Sequence, residues 1–172
     1  MAISLYDATC RAFIQGLGGL SGVLAKGRAH AEATGVDPDT YVKSRIAPDM
    51  LPLTYQVQAA CSHSLGALEA CESGVHVAKM PYKQTYAELQ AMVTETRERL
   101  KALQAEAING AAGRDVVFRL TDRDLPFETE DYLMTFSVPN FYFHATTAYD
   151  ILRGLGVPLS KGDFMGRTRM KA

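Results

Sequence analysis

Apolar residues recur at the spacing of an α-helix in four long stretches of the chain. From Leu5 to Ala33 they follow steps of three and four residues, and a second stretch runs from Leu53 to Cys71. A third follows a capping box at Thr85 and continues to Ala107, and a fourth runs from Pro139 to Gly156. The pattern predicts an all-α protein whose four long helices pack as a four-helix bundle.

The period changes between the third and fourth helices. Val116, Phe118 and Leu120 alternate with their neighbours as in a short β-strand, and a proline interrupts the pattern soon afterwards. We therefore expect a short β-hairpin between Gly113 and Ser137. The basic, glycine-rich tail after Gly156 is predicted to pack as a coil.

Glycines crowd one part of the first helix. Gly16, Gly18, Gly19 and Gly22 fall within two turns, and each costs about 1 kcal/mol relative to alanine in a helix interior. Such a cost is tolerated where the helix kinks or where another backbone comes very close. We expect one of these two features here.

Size and composition describe one folded domain over residues 1–172. Hydrophobic residues make up 47% of the chain, which is enough for a buried core and excludes a disordered protein. Eighteen basic residues stand against nineteen acidic ones, so no overall field favours nucleic acid or an anionic membrane surface. We expect neither partner.

Cysteine usage and the absence of long apolar runs indicate a cytoplasmic protein. Cys10, Cys61 and Cys71 are odd in number and lack Cys-x-x-Cys spacing, which excludes a disulfide framework and a closed cysteine-rich zinc site. The sequence predicts neither a signal peptide nor a membrane-spanning helix.

Candidate chemistry rests on the histidines, because the sequence carries no phosphate-binding loop, dinucleotide fingerprint, nucleophile elbow or His-Glu-x-x-His motif. His30 and His76 fall at a helix end and in a connection, where we expect solvated imidazoles. His63 and His144 fall inside the second and fourth helices, where bundles build metal and cofactor sites. Asn140 lies one turn before His144 and shares its face.

The segment around His144, HATTAYDILRGLG, resembles the last helix of the DinB/YfiT-like four-helix bundles. The strings YDATCRAFIQGLGGL, APDMLPLTYQVQAA and DYLMTFSVPNFYFHATTAYDILRGLGVPLSKGDFMG also resemble a bacterial family of unknown function within that superfamily. The resemblance implies the bundle fold and a divalent metal held by a His-x-x-x-His pair and a histidine of the second helix.

This chain departs from the superfamily pattern at the metal pair. The resemblance puts His144 at the second histidine of the pair, whereas Asn140 stands in place of the first, and an amide is a poor metal ligand. The helix-two histidine would fall near Gln56 or Gln58 or, with a shifted register, at His63. No cofactor is therefore established. Zn²⁺ or Ni²⁺ bound by His63, His144 and an oxygen or sulfur from the first helix, such as Asp7 or Cys10, stays an open alternative.

The sequence leaves two candidate functions. The first is a small-molecule-binding or structural homodimer with a degenerate metal site, whose pocket for a small polar molecule lies between Gln56, Asn140 and His144. The alternative is a divalent-metal-dependent enzyme, a thiol transferase or hydrolase-like protein using His144 and His63. Two sequence features predict a homodimer: the heptad seam of the third helix and the aromatic triplet Phe141 to Phe143 that opens the fourth. The resemblance to the superfamily, whose members pair, implies the same.

Overall fold

The computed structural model describes residues 3–78 and 82–170, so both ends of the predicted 1–172 domain lie outside the described residues. Helices dominate the fold. They are α1 (Leu5–Ala8), α2 (Cys10–Ala33), α3 (Leu53–Cys61), α4 (Ala67–Ser73), α5 (Tyr86–Ala102), α6 (Ala105–Asn109), α7 (Thr129–Asp131), α8 (Val138–Gly154) and α9 (Lys161–Met165). A 3₁₀-helix spans Pro38–Lys43, and π-helical segments span Ser62–Gly66 and Tyr132–Ser137.

The long helices pack around one apolar core. α2 contacts α5 and α8, and α3 contacts the same two helices. The largest side chains that are fully buried between them are Tyr86, Tyr132, Phe13, Phe141, Leu17, Leu20, Leu24, Leu53, Leu68, Leu89, Leu100 and Leu133. The predicted, predominantly helical class is confirmed. None of the helices in the described part of the chain has the length and apolar character needed to cross a membrane.

A small sheet of order β1-β2-β3 accompanies the helices, with strands β1 (Val75–Val77), β2 (Asp115–Arg119) and β3 (Asp124–Glu128). β2 and β3 are antiparallel and form the predicted hairpin. β1 pairs with β2 in parallel, an arrangement that the sequence analysis missed because a three-residue strand carries no readable period.

Two predicted helix boundaries are wrong. The third helix ends at Ala102, five residues early, because Leu103 adopts an extended backbone before α6 begins. The fourth begins well before Pro139, since α7, the second π-helical segment and α8 follow one another without a break. The π-helical segment ends at Ser137, and Pro139 follows in the first turn of α8, where a missing N–H is tolerated.

The tail is also more ordered than predicted. Instead of a coil, Ser160 and Asp163 form a capping box that starts α9. α9 lies against α2 at Gly19, where a Cβ atom would stand 2.1 Å from the Phe164 carbonyl oxygen. The close backbone approach expected from the glycine cluster is therefore confirmed at Gly19. At Gly22 a Cβ would meet nothing within 4 Å.

Candidate functional site

The two π-helical segments bring one predicted site residue, His63, and a phenylalanine to the sheet. The Ser62–Gly66 segment carries His63, and the Tyr132–Ser137 segment carries Phe136. The rings of these two residues lie 5.5 Å apart, and Phe118 of β2 packs on both of them. A π turn adds one residue to a helix and re-aims the side chains around it, a device found often at functional sites.

Three imidazoles form a row that joins α8, the first π-helical segment and β1. His144, His63 and His76 are neighbours in that order, and consecutive ring centroids are 5.9 and 5.8 Å apart. We call these three residues the histidine row. Tyr55 lies beside its His144 end, with ring centroids 5.7 Å apart, so aromatic side chains border the row at both helices.

His144 is held in one tautomer by Gln56. The Gln56 amide nitrogen donates to the Leu51 carbonyl oxygen at 2.8 Å, so its oxygen Oε1 faces His144 Nδ1, also at 2.8 Å. Because that oxygen can only accept, Nδ1 of His144 carries the proton and Nε2 keeps its lone pair. Gln56 is 2% exposed and uses both ends of its amide inside the protein.

His63 differs from its neighbours because one of its nitrogens has no partner. Its Nδ1 atom is buried and makes no hydrogen bond among the described residues. Such atoms are uncommon in folded proteins, and each costs about 1–3 kcal/mol. Ser137 Oγ, on the second π-helical segment, is likewise buried without a partner.

His76 is buried, which contradicts the expectation of a solvated imidazole in a connection. It is 5% exposed on β1, its Nε2 lies 2.8 Å from Ser62 Oγ, and its Nδ1 contacts the Tyr132 hydroxyl. Gly66 makes room for this ring, since a Cβ there would lie 3.2 Å from Nε2. Both nitrogens of His76 are therefore occupied within the protein.

The whole row is uncharged at neutral pH. Burial lowers the pKa of His76 and of His144 to about 4. Burial lowers the pKa of His63 to about 3, and the neighbouring His76 and His144 add to the effect. Each imidazole therefore presents one N–H donor and one lone pair.

Other candidate residues are engaged in different contacts. Asn140 Nδ2 donates to the Phe136 carbonyl oxygen at 2.8 Å. The candidates from the first helix have partners of their own, because Asp7 pairs with Arg11 and Cys10 Sγ donates to the Leu100 carbonyl oxygen. All three cysteines are free thiols, and all three are buried, which the sequence did not predict.

The residues present fit the implied metal only in part. The described residues contain no group of three histidine, cysteine, aspartate or glutamate side chains placed to hold a metal ion. His63 and His144 each offer a neutral imidazole, while His76 has both nitrogens in use. Two ligands are fewer than the three that a catalytic zinc site uses.

Ser62 and Tyr132 were not among the predicted site residues, and His76 was expected to lie in solvent. They meet only because β1 pairs with β2 and the second π-helical segment follows β3. The sole signal in the sequence was the apolar pair around a histidine, Val75 and Val77, directly after a helix-ending glycine.

Comparison with known proteins agrees with this architecture. The profile of the DUF1993 family, a domain of unknown function, matches residues 5–165. A crystal structure of a DinB family member protein from Shewanella denitrificans is similar, with a TM-score of 0.81 and 30% identity over 98% of this chain and 95% of that chain. No curated protein matches the chain. The chain therefore belongs to the DUF1993 family, within the DinB-like fold family.

Proposed function

We propose that this protein is a DinB/YfiT-like four-helix bundle that binds a small polar molecule at the histidine row, where the superfamily's metal site has degenerated. One observation carries the proposal: Nδ1 of His63 is buried without a hydrogen-bond partner. A group that is costly to leave unpaired gains a partner when a ligand binds. His63 and His144 are the residues that would contact that ligand.

The tautomer of His144 gives the ligand site a fixed polarity. Gln56 holds the Nδ1 proton of His144, so Nε2 accepts a hydrogen bond from the ligand. Gln56 thus acts as a positioning residue. His63 can present either a donor or an acceptor at Nδ1, according to its tautomer.

The ligand is expected to be uncharged with an apolar part. Rings of Tyr55, Phe118 and Phe136 pack directly against His63 or His144, and none of these side chains carries a charge. The groups that lower the pKa of His63 through charge interactions are themselves histidines. An ionised ligand would lose its hydration here without gaining an ion pair.

A fragment screen read by NMR tests this proposal. The ring nitrogens of the uniformly ¹⁵N-labelled protein are observed at pH 7.5 while neutral heterocyclic fragments are added. We expect at least one fragment to shift both His63 and His144, and the effect to disappear in His63→Leu but to persist in His30→Gln, which alters a histidine in the last turn of α2. The proposal fails if no fragment shifts either ring.

A metal-dependent enzyme is the second candidate, and the hydrogen bond of His144 favours it. Metal-bound histidines characteristically donate the proton of their other nitrogen to an oxygen acceptor, as His144 does to Gln56. A bound divalent ion would supply Lewis-acid chemistry to a thiol or water. His63 and His144 would hold it, with the remaining positions left to water or substrate.

Metal analysis separates the two candidates. Protein purified without a histidine tag is assayed for transition metals and for thermal shifts with Zn²⁺ and Ni²⁺. About one equivalent of metal, or a shift that both His63→Leu and His144→Gln remove, would favour the enzyme. Metal-free protein without a shift would leave the small-molecule site as the better account.

A further inference from the structure

Basic residues are concentrated around one open cavity that is separate from the histidine row. The cavity has a volume of about 460 Å³ and lies between the start of α2, the end of α5 and the C-terminal tail. No acidic residue is among its lining side chains within the described ranges, whereas five basic ones are: Arg11, Arg97, Lys101, Arg167 and Arg169. The chain as a whole has 18 basic and 19 acidic residues, so the lining of this cavity is far more basic than the average composition.

The rest of the lining is neutral and partly apolar. Tyr6 of α1 contributes an aromatic ring and Ile14 of α2 an aliphatic side chain. Gly18 and Ser21, also in α2, are small residues of the lining. A volume of this size lies within the range of small-molecule sites, about 300–1,000 Å³. The cavity therefore offers an apolar wall beside a cluster of cations.

Arg97 is pre-positioned in the cavity. Its Nε donates to the Ile14 carbonyl oxygen at 3.3 Å, which anchors the guanidinium on α2. Gly18 makes this possible, since a Cβ there would already lie 3.4 Å from Nε. The terminal nitrogens remain available for a second acceptor, with only a long 3.9 Å approach to Glu98.

The acidic residues nearby neutralise only part of this charge. Asp7 pairs with Arg11, and Glu98 pairs with Lys101. Across the described residues, the guanidinium groups of Arg167 and Arg169 make no hydrogen bond or salt bridge of their own, although the charge of Arg169 helps to lower the pKa of Asp7. Among the described residues, five cations therefore stand against two carboxylates at this cavity.

We propose that this cavity binds a small organic phosphate. A phosphate dianion matches the planar forks of several arginines, which bind it through paired hydrogen bonds. The apolar wall at Tyr6 and Ile14 then accommodates the organic part of the molecule. Because the histidine row contributes no residue to this cavity, the proposal stands independently of the function proposed above.

Calorimetric titration of the full chain with 1-naphthyl phosphate tests the assignment, with 1-naphthol and pyrophosphate as reference ligands. We expect 1-naphthyl phosphate to bind more tightly than either reference, because only it matches both the charge and the apolar wall. Binding should weaken as salt rises from 0.05 to 0.5 M, since the cavity is open to solvent (~10 Å screening length at 0.1 M).

Three variants locate the binding. Arg97→Gln and the tail variant Arg167→Gln/Arg169→Gln should each weaken binding of 1-naphthyl phosphate at least about tenfold. The tail variant keeps the proposal testable if Arg97→Gln unfolds. Arg123→Gln removes the same charge from the exposed β2–β3 turn and should leave binding unchanged. Equal binding of 1-naphthol, or no effect of the tail variant, would overturn the proposal.

A phosphate on a lipid headgroup shares the same chemistry, so binding to lipid vesicles is measured as well. Sedimentation with phosphatidic-acid vesicles, lost in the tail variant and accompanied by no binding of soluble 1-naphthyl phosphate, would overturn the assignment to a small ligand. Binding of the soluble phosphate without sedimentation would support it.

Discussion

At the scale of single residues, His63 and His144 are neighbours with opposite hydrogen-bond status. Both rings are neutral, yet Nδ1 of His144 has a partner in Gln56 and Nδ1 of His63 has none. Their substitutions should therefore move stability in opposite directions.

His63→Leu is expected to raise the free energy of unfolding by about 1 kcal/mol. Leucine fills a similar space and removes the buried atom that lacks a partner, while it also removes the proposed ligand contact. Urea denaturation measures the change. A loss of stability would mean that the contacts of the imidazole ring stabilise the fold by more than its unpaired nitrogen destabilises it.

His144→Ala is expected to lower the free energy of unfolding by about 1–3 kcal/mol. The substitution leaves Gln56 Oε1 buried without its donor. Measuring Gln56→Leu and the double variant completes a thermodynamic cycle, in which a coupling of at least about 0.5 kcal/mol is expected for groups in contact. Additive effects would contradict the hydrogen bond as the source of the loss.

Stability should fall as pH drops below about 6.5. The pKa of His63 is about 3 and that of His76 about 4 in the fold, against an ordinary 6.5, so the unfolded chain binds more protons in this range. Each histidine then lowers the free energy of unfolding by up to about 1.4 kcal/mol per pH unit. Urea titrations between pH 7.5 and 5 measure the slope.

The variants supply the control for this pH dependence. His63→Leu should reduce the slope, whereas Phe118→Leu perturbs the same packing without removing a titratable group and should keep it. A slope that is equal in the wild type and in His63→Leu would contradict the assignment.

Part of this arrangement could be predicted from single residues. Helical spacing put His63 and His144 on facing helices, and the amide at position 56 was a candidate for the same site. His76 could not be assigned, because its burial depends on a strand pairing formed between segments about forty residues apart.

At the scale of elements, one large error of prediction coincides with the second π-helical segment, Tyr132–Ser137. An inserted residue breaks the 3.6-residue period, so the helical backbone before Pro139 looked extended. By contrast, the predicted inward stripe of the third helix is buried as far as α5 extends, at Tyr86, Leu89, Val93, Thr96 and Leu100. Its last two predicted members lie beyond α5, where Leu103 is partly buried and Ala107 is exposed.

The glycines of α2 supply a matched pair for testing how α9 is attached. Gly19→Ala should detach α9, because its methyl group would overlap the Phe164 carbonyl. Gly22→Ala meets no neighbour and should stabilise the helix by about 1 kcal/mol. Thermal unfolding and limited proteolysis of the tail report both changes, and a tail equally protected in the two variants would refute the close contact.

At the scale of the whole molecule, the surface carries apolar side chains at the start of α8. Phe141 is fully buried, whereas Tyr142 is 40% and Phe143 is 56% exposed. The heptad seam of α5 faces the core of its own chain and is not available to a second copy. Of the two features that suggested a homodimer, the aromatic one remains.

We propose that Tyr142 and Phe143 form part of a dimer contact. Light scattering at micromolar concentration should give the mass of a dimer, and Tyr142→Ser/Phe143→Ser should give the mass of a monomer. Ile46→Ser, which changes an apolar residue of similar exposure outside this patch, is the control and should stay dimeric. A monomeric wild type would remove the proposal.

The parallel pairing of β1 with β2 affects when the histidine row forms during folding. All of α5 and α6 lies between these two strands along the chain. The chain must therefore fold back on itself over both helices before β1 can pair with β2 and His76 can contact Tyr132. Parallel pairing of strands so far apart along the chain is slow compared with the growth of individual helices. We therefore expect the histidine row to be among the last parts to assemble, so that fluorescence of a single tryptophan in place of Phe118 reports completion of the native state rather than early collapse.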